Sequence, residues 1–325
     1  MDFFLSLFCA FVLLVVLGIL VVVVFIYATT SDTFATIKRY PDEEYFIDPS
    51  KENAKIPFPY LERESSVELS VIVPSYNEEE RLPVMLDEAF EYLEERKKHE
   101  PSFTYEIIIV DDGSKDRTTQ VALKYVRKYG VELIRVLTLT KNRGKGGAVR
   151  LGMFSSRGKQ LLMVDADGAT KFSDLTKVQN ALQKIVNGKE CDPAISVGSR
   201  AHLQDEAVAQ RTLLRNLLMY GFHFLVWFLC VRGIRDTQCG FKLFTRPAAL
   251  LTFTSLHVER WAFDVELLYI AQRLNIPITE VAVNWQEIDG SKMVPIWSWL
   301  QMGKDLLLIR LRYILGVWKI SSTNN

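Results

Sequence analysis

Cysteine is scarce in this chain. Its 325 residues include four, at positions 9, 191, 230 and 239. None forms a C-x-x-C pair, so the sequence offers neither a thiolate zinc centre nor a disulfide framework. Net charge is missing too: Lys+Arg and Asp+Glu both total 39, which removes the electrostatic argument for a nucleic-acid partner. No N-x-[ST] sequon occurs, which agrees with a domain on the cytoplasmic side of a membrane. What remains is ordinary for a globular protein, 49% hydrophobic and 24% charged. That composition and length suit one large domain with an extension, or two modest ones.

One segment departs from that average. Phe3 to Tyr27, FFLSLFCAFVLLVVLGILVVVVFIY, runs for 25 residues without a charge. At about 1.5 Å per residue it exceeds the roughly 30 Å hydrocarbon core of a bilayer. A cleaved signal peptide would carry a positive start and a shorter apolar stretch, whereas the only early charge is Asp2. The run is therefore read as a retained anchor over 1–30. Lys38 and Arg39 follow it and place the next domain on the cytoplasmic side. Residues 31–66 are polar, carry Pro41, Pro49, Pro57 and Pro59, and read as a linker.

Beyond the linker, apolar strands and helical patterns alternate. ELSVIVP (68–74), YEIIIV (105–110), LIRVLTL (133–139), QLLMV (160–164) and AISV (194–197) read as buried strands. PVMLDEAFEYLEERKK (83–98) reads as a helix opened by proline. The expected fold is α/β, a mostly parallel sheet with helices on both faces. Ligands of such sheets sit at the carboxyl ends of the strands. Polar and glycine-rich clusters stand there: PSYNEE, DDGSKD, TKNRGKGGA, DADGATK and GSR.

Each cluster has a bland reading beside its chemical one. Asp111 and Asp112 either cap a helix or accept hydrogen bonds from a nucleobase or ribose. Gly144, Gly146 and Gly147 open a helix beside Lys141, Arg143 and Lys145, and would favour an anion. The Walker A spacing is absent. Asp165 and Asp167, two apart at a strand end, are a solvated loop or a pair of oxygen ligands for Mg²⁺ or Mn²⁺. Taken in order along one sheet, the clusters build one site.

SVIVPSYNEE, IIVDDGSKD, NRGKGGA and MVDADGA together resemble the GT-A nucleotide-sugar fold of glycosyltransferase family 2. GSRAHL, YGFHFLVWFLCV, IRDTQCGFKLF and RWAFDVELL narrow the likeness, over about residues 67–318, to the branch of the endoplasmic reticulum membrane that glucosylates dolichyl phosphate. The resemblance implies transfer of glucose from UDP-glucose to dolichyl phosphate, with inversion, on the cytosolic face. It assigns Pro74, Tyr76, Glu78 and Asp112 (or Asp111) to the nucleoside, and Asp165 and Asp167 to the metal that holds the diphosphate; Lys145 of the anion-favouring glycine loop is counted with these donor residues. Where relatives carry a glutamine ligand this chain has Ala169, so the third protein ligand is left open. Arg200 aligns with an arginine on the acceptor phosphate. The catalytic domain is then 67–255, with a helical region at 256–325.

The acceptor side can also be read physically. Arg211 and Arg215 are four apart and share a helix face, ahead of the apolar run Leu217 to Val231. That run is short for a span; it is an interfacial element or a core helix. The segment 294–319 mixes tryptophans and cations and is either an in-plane interfacial helix or a second core layer. Asp236, Asp264 and Glu266 read as orienting groups, because an ionised phosphate needs no base to attack. Lys242 adds positive charge near a phosphate or is simply solvated.

Three rival functions remain. A polyisoprenyl-phosphate mannosyltransferase using GDP-mannose would share the architecture. A processive synthase would need Q-x-x-R-W, but His257 replaces the glutamine of that signature, and later spans are lacking. A non-catalytic scaffold would be expected to have lost the D-x-D.

Overall fold

Side chains alternate across a strand, and here both faces of the sheet are apolar. In the computed structural model β3 (Val67–Ser75), β4 (Tyr105–Asp111) and β6 (Gly158–Val164) form the centre. Ile72, Ile108, Val110, Leu161 and Met163 point to one face, while Leu69, Val71, Val73, Ile107, Ile109 and Leu162 point to the other. The structure describes residues 2–30, 32–186, 192–203, 213–288 and 297–321, excepting the side chains of 2, 213–218 and 297–299.

Helices α2 (Leu82–His99), α3 (Thr118–Tyr129) and α5 (Leu175–Ile185) cover the second face. The first is covered by α4 (Lys145–Phe154), α7 (Arg246–Thr254) and α8 (Phe263–Arg273). The remaining strands are β5 (Ile134–Thr138), β7 (Ile195–Ser199), β8 (Phe241–Thr245) and β9 (Ile278–Ala282). The order across the seven strands is β5-β4-β3-β6-β8-β7-β9. The order reverses between β3 and β6, and such a switch point opens a crevice at the strands' carboxyl ends. Pro74 marks where it opens. Its register partner is Val110 of β4, while the β3–β6 ladder stops at Ile72↔Met163. A residue with no N–H is tolerated in a central strand only where one neighbour has peeled away.

The sequence reading of a mostly parallel sheet holds, with one departure. Strand β8, which it did not identify, runs antiparallel between β6 and β7. Its first residue, Phe241, is therefore level with Val164 at the end of β6.

The segment 31–66 is more than a linker. Strands β1 (Tyr45–Asp48) and β2 (Ala54–Pro57) form an antiparallel hairpin. Phe46, Phe58 and Leu61 of this segment are buried in the core with Leu137 and Phe154. Alternating apolar residues outweigh the proline signal here. Glu43 is fully buried and accepts from Thr140 N and Oγ1 (3.0 Å each) and from Arg143 Nη2 (2.5 Å).

The region 256–325 is likewise not purely helical. Helix α8 is a core helix, and β9 joins the main sheet parallel to β7. Helix α1 (Asp2–Thr29) is long and apolar enough to cross a membrane, and its residues are almost all exposed. Its foot is held, with Ile26 buried and Tyr27 Oη donating to Leu315 O at 3.2 Å.

Candidate active site

Strand ends β3, β4, β6 and β7 bring most of the expected residues to one edge of the sheet. Beyond β3 lie the part-buried Tyr76 and the buried Glu78, which makes a two-pronged pair with Arg81 (2.7 Å each). Asp111 ends β4 and caps the next turn, accepting from Ser114 N at 2.9 Å and from Thr119 Oγ1. The capping alternative thus describes Asp111.

Asp112 does something else. Its two carboxylate oxygens accept the backbone N–H groups of Arg143 (2.7 Å) and Gly144 (2.8 Å). Gly144 has φ +87°, a left-handed conformation that favours glycine. It turns the chain into α4, whose first residue is Lys145. Burial pushes the Asp112 carboxyl up to about 6, only partly offset by those two N–H groups.

From the start of α4, Lys145 Nζ reaches Asp165 Oδ1 at 2.6 Å. Burial raises the Asp165 pKa, but the Lys145 charge and hydrogen bond, with Lys242 and Arg200 beyond, outweigh it and hold the carboxyl below its ordinary value. Asp167 is pushed the other way, by burial and then by the charge of Asp165. It accepts from Ala169 N at 3.0 Å. The Asp165 carboxylate lies against Gly240, where a Cβ would stand 2.0 Å from Oδ2. Sequence reasoning passed over Gly240, because its role appears only when β8 is known to start beside the end of β6.

Arg200 follows β7 directly. Its Nε and Nη2 bind Asp236 Oδ2 and Oδ1 at 2.7 and 2.9 Å, its backbone N–H adds 2.9 Å, and its guanidinium lies 5.4 Å from the Trp285 ring. Despite burial, Arg200 keeps the Asp236 carboxyl below its ordinary range. Glu280 of β9 accepts from Asp236 N at 2.9 Å, a support the sequence did not reveal.

Lys242 differs from the sequence reading. It is fully buried, with Nζ 2.6 Å from both Asp264 Oδ1 and Cys239 O. Neither a solvated lysine nor a direct phosphate ligand fits that position. It faces the α8 side of the sheet, so Lys242 and Asp264 neutralise each other beneath the D-x-D loop. Glu266 is also committed, accepting from Val258 N (2.6 Å) and Tyr313 Oη (2.8 Å).

Arg211 lies outside the described residues, as does the side chain of Arg215. Helix α6 (Leu213–Leu229) follows. It buries Met219, Phe222 and Val226 and exposes Tyr220, Phe224, Trp227 and Phe228, an amphipathic division. Helix α9 (Trp297–Ile314) packs against α6. It buries Met302, Leu306 and Ile309 and exposes Leu300, Leu307 and Ile314. Each helix therefore serves the core with one face only.

Comparison with known proteins fits this geometry. Residues 70–249 match glycosyl transferase family 2. The dolichyl-phosphate β-glucosyltransferase of Homo sapiens is 60% identical over 304 residues, 94% of this chain and 93% of that one. The Saccharomyces cerevisiae enzyme of the same name is 48% identical over 77% of this chain and 76% of its own. Among solved structures, mannosyl-3-phosphoglycerate synthase from Rubrobacter xylanophilus superposes with a TM-score of 0.51 at 16% identity, covering 80% of this chain and 78% of that one. Glucosyl-3-phosphoglycerate synthase from Mycobacterium tuberculosis, solved with Mn²⁺, UDP and glucosyl-3-phosphoglycerate, gives 0.50 at 16% identity over 79% and 82%. These distant structures speak for the GT-A-like sheet alone. Near-complete coverage at high identity says more: the chain belongs to glycosyltransferase family 2, among the dolichyl-phosphate β-glucosyltransferases.

Proposed function

We propose that this chain moves glucose from UDP-glucose to dolichyl phosphate, giving an inverted, β-linked product, at the cytosolic face of the endoplasmic reticulum membrane. One observation carries the reading at the site. A single glycine turn is pinned to Asp112 through the N–H groups of Arg143 and Gly144 and delivers Lys145 to Asp165. It ties the nucleoside end of a donor to its diphosphate end. Pro74, Tyr76, Glu78 and Asp111 flank the nucleoside end.

Asp165 and Asp167 suit a divalent cation. The space kept by Gly240 leaves room for the Asp165 carboxylate, and both groups are oxygen donors at a part-exposed edge. Among the described residues no cluster of three His, Cys, Asp or Glu side chains that could hold a metal is formed, and Ala169 offers no side-chain ligand. Two carboxylates suit Mg²⁺ or Mn²⁺, which leave their other positions to phosphate and water. Bound there, the cation would neutralise charge on departing UDP.

The chain's own residues do the rest. Lys145 supplies a fixed positive charge beside the diphosphate. Arg200 is oriented by Asp236 and Trp285 to face an acceptor phosphate, with Arg211 and Arg215 as further candidates. A phosphate monoester is largely ionised at neutral pH, so alignment rather than proton removal is the catalytic task. Asp236 and Asp264 are both occupied by cations, which supports orienting and structural roles for them. The exposed aromatic face of α6 would rest in the bilayer beside the lipid acceptor, with α1 as the anchor.

The test is transfer by the detergent-purified chain, given dolichyl phosphate, Mg²⁺ or Mn²⁺, and labelled UDP-glucose or GDP-mannose in separate reactions. Label passing from UDP-glucose into the organic phase, and lost in Asp167→Ala, is the expected result. Transfer from GDP-mannose alone would overturn the donor. Mn²⁺ binding followed by electron paramagnetic resonance should weaken in the same variant.

A further inference from the structure

A cavity of about 650 Å³ opens at the foot of α1, away from the D-x-D. Its walls are Phe34, Tyr269, Tyr313 and Trp318, and Arg273 and Lys319 stand at it. Neither cation has a carboxylate partner among the described residues, and both are exposed. The Trp318 ring is fixed, stacked on His257 at 4.2 Å, while Lys319 N donates to Thr33 O at 2.9 Å. The wall is thus built from three separate segments rather than from one mobile tail.

Position identifies the occupant. Phe34 lies five residues beyond the end of α1 at Thr29. If α1 lies in the bilayer, the cavity is at the level of the lipid headgroups. Tyr and Trp rings favour that interface, and exposed Arg and Lys there attract anionic lipids. The D-x-D loop is elsewhere: Asp264, buried beneath that loop, is the second residue of α8 and Arg273 the last, about 13.5 Å apart along the helix at 1.5 Å per residue.

We propose that this cavity holds the headgroup of an anionic phospholipid, with its phosphate on Arg273 and Lys319 and its glycerol backbone against Phe34 and Trp318. The proposal rests on the anchoring reading of α1. The lipid is structural: it seats the domain on the membrane and is not glucosylated.

The full chain would be assembled into phosphatidylcholine nanodiscs with and without phosphatidylinositol, and retained lipid counted by native mass spectrometry. Failure to enter the discs removes the anchoring reading and leaves the lipid question to mixed micelles of the same lipids, scored identically. Once the chain is in discs or micelles, retention of one phosphatidylinositol in preference to phosphatidylcholine is expected. Arg273→Gln/Lys319→Gln should weaken it by roughly thirty-fold, two surface-cation contributions, with the melting temperature unchanged. A conservative Arg273→Lys should keep most of the retention. Indiscriminate retention, indifference to the double variant, or displacement by dolichyl phosphate would each overturn the proposal; displacement would give the cavity to the acceptor.

Discussion

Gly240 and Asp165 are fitted to one another: a Cβ on the first would stand 2.0 Å from Oδ2 of the second. A methyl group there must push the carboxylate aside, since the contact is with the side chain's charged end rather than with open space. Gly240→Ala should therefore lower kcat/KM by ~100-fold, the scale of a 1 Å misplacement at a reacting centre. Its melting temperature should shift far less. Full activity would show that Asp165 has freedom the packing denies it.

Asp112 gives a pH dependence of known sign. Its folded pKa, about 6, lies above the ordinary 3.8, so the folded chain binds more protons between those values. Stability from this group is complete below about 4 and declines as pH rises toward 6. Asp112→Asn should flatten that part of the melting-temperature profile. It should also weaken UDP binding measured by calorimetry, because the amide cannot accept both N–H groups of the glycine turn.

Arg200 and Asp236 act as a unit. Lysine cannot reproduce the two-pronged contact, so Arg200→Lys should not be conservative. A loss of ~10–100-fold in transfer is expected for it and for Asp236→Asn, as for hydrogen bonds to charged groups. Kinetics of the double variant should be little worse than the poorer single one; additive losses would mean the two residues work independently.

The Lys242–Asp264 pair is buried to within a few percent of complete. Lys242→Met strands a carboxylate in the core and should destabilise by ~3–5 kcal/mol, whereas Lys242→Met/Asp264→Leu should regain most of it. Thermal melting in detergent distinguishes the two. A single variant as stable as the parent would mean water reaches Asp264.

Much of this architecture was legible because period and position carry it. Continuous apolar strands, glycines before α4, and carboxylates at strand ends are local signals, and they place Asp112, Lys145, Asp165 and Arg200 along one edge. Long-range register is not local. FKLFT carries no mark that it runs antiparallel beside QLLMV, so neither the closeness of Gly240 to Asp165 nor the burial of Lys242 against Asp264 can be read from it. Glu43 was hidden for a similar reason: an acidic residue among prolines looks solvated until Arg143, a hundred positions away, is found beside it.

That buried glutamate changes what the first sixty residues are for. With the hairpin packed into the core and Glu43 clamped to the glycine turn, the stretch after α1 is a bracket rather than a leash. A leash would let the catalytic face wander and meet its acceptor at any height above the bilayer. A bracket fixes one standoff: on the membrane reading proposed above, the distance between the foot of α1 and Arg200 is set by packing and not by the reach of a tether.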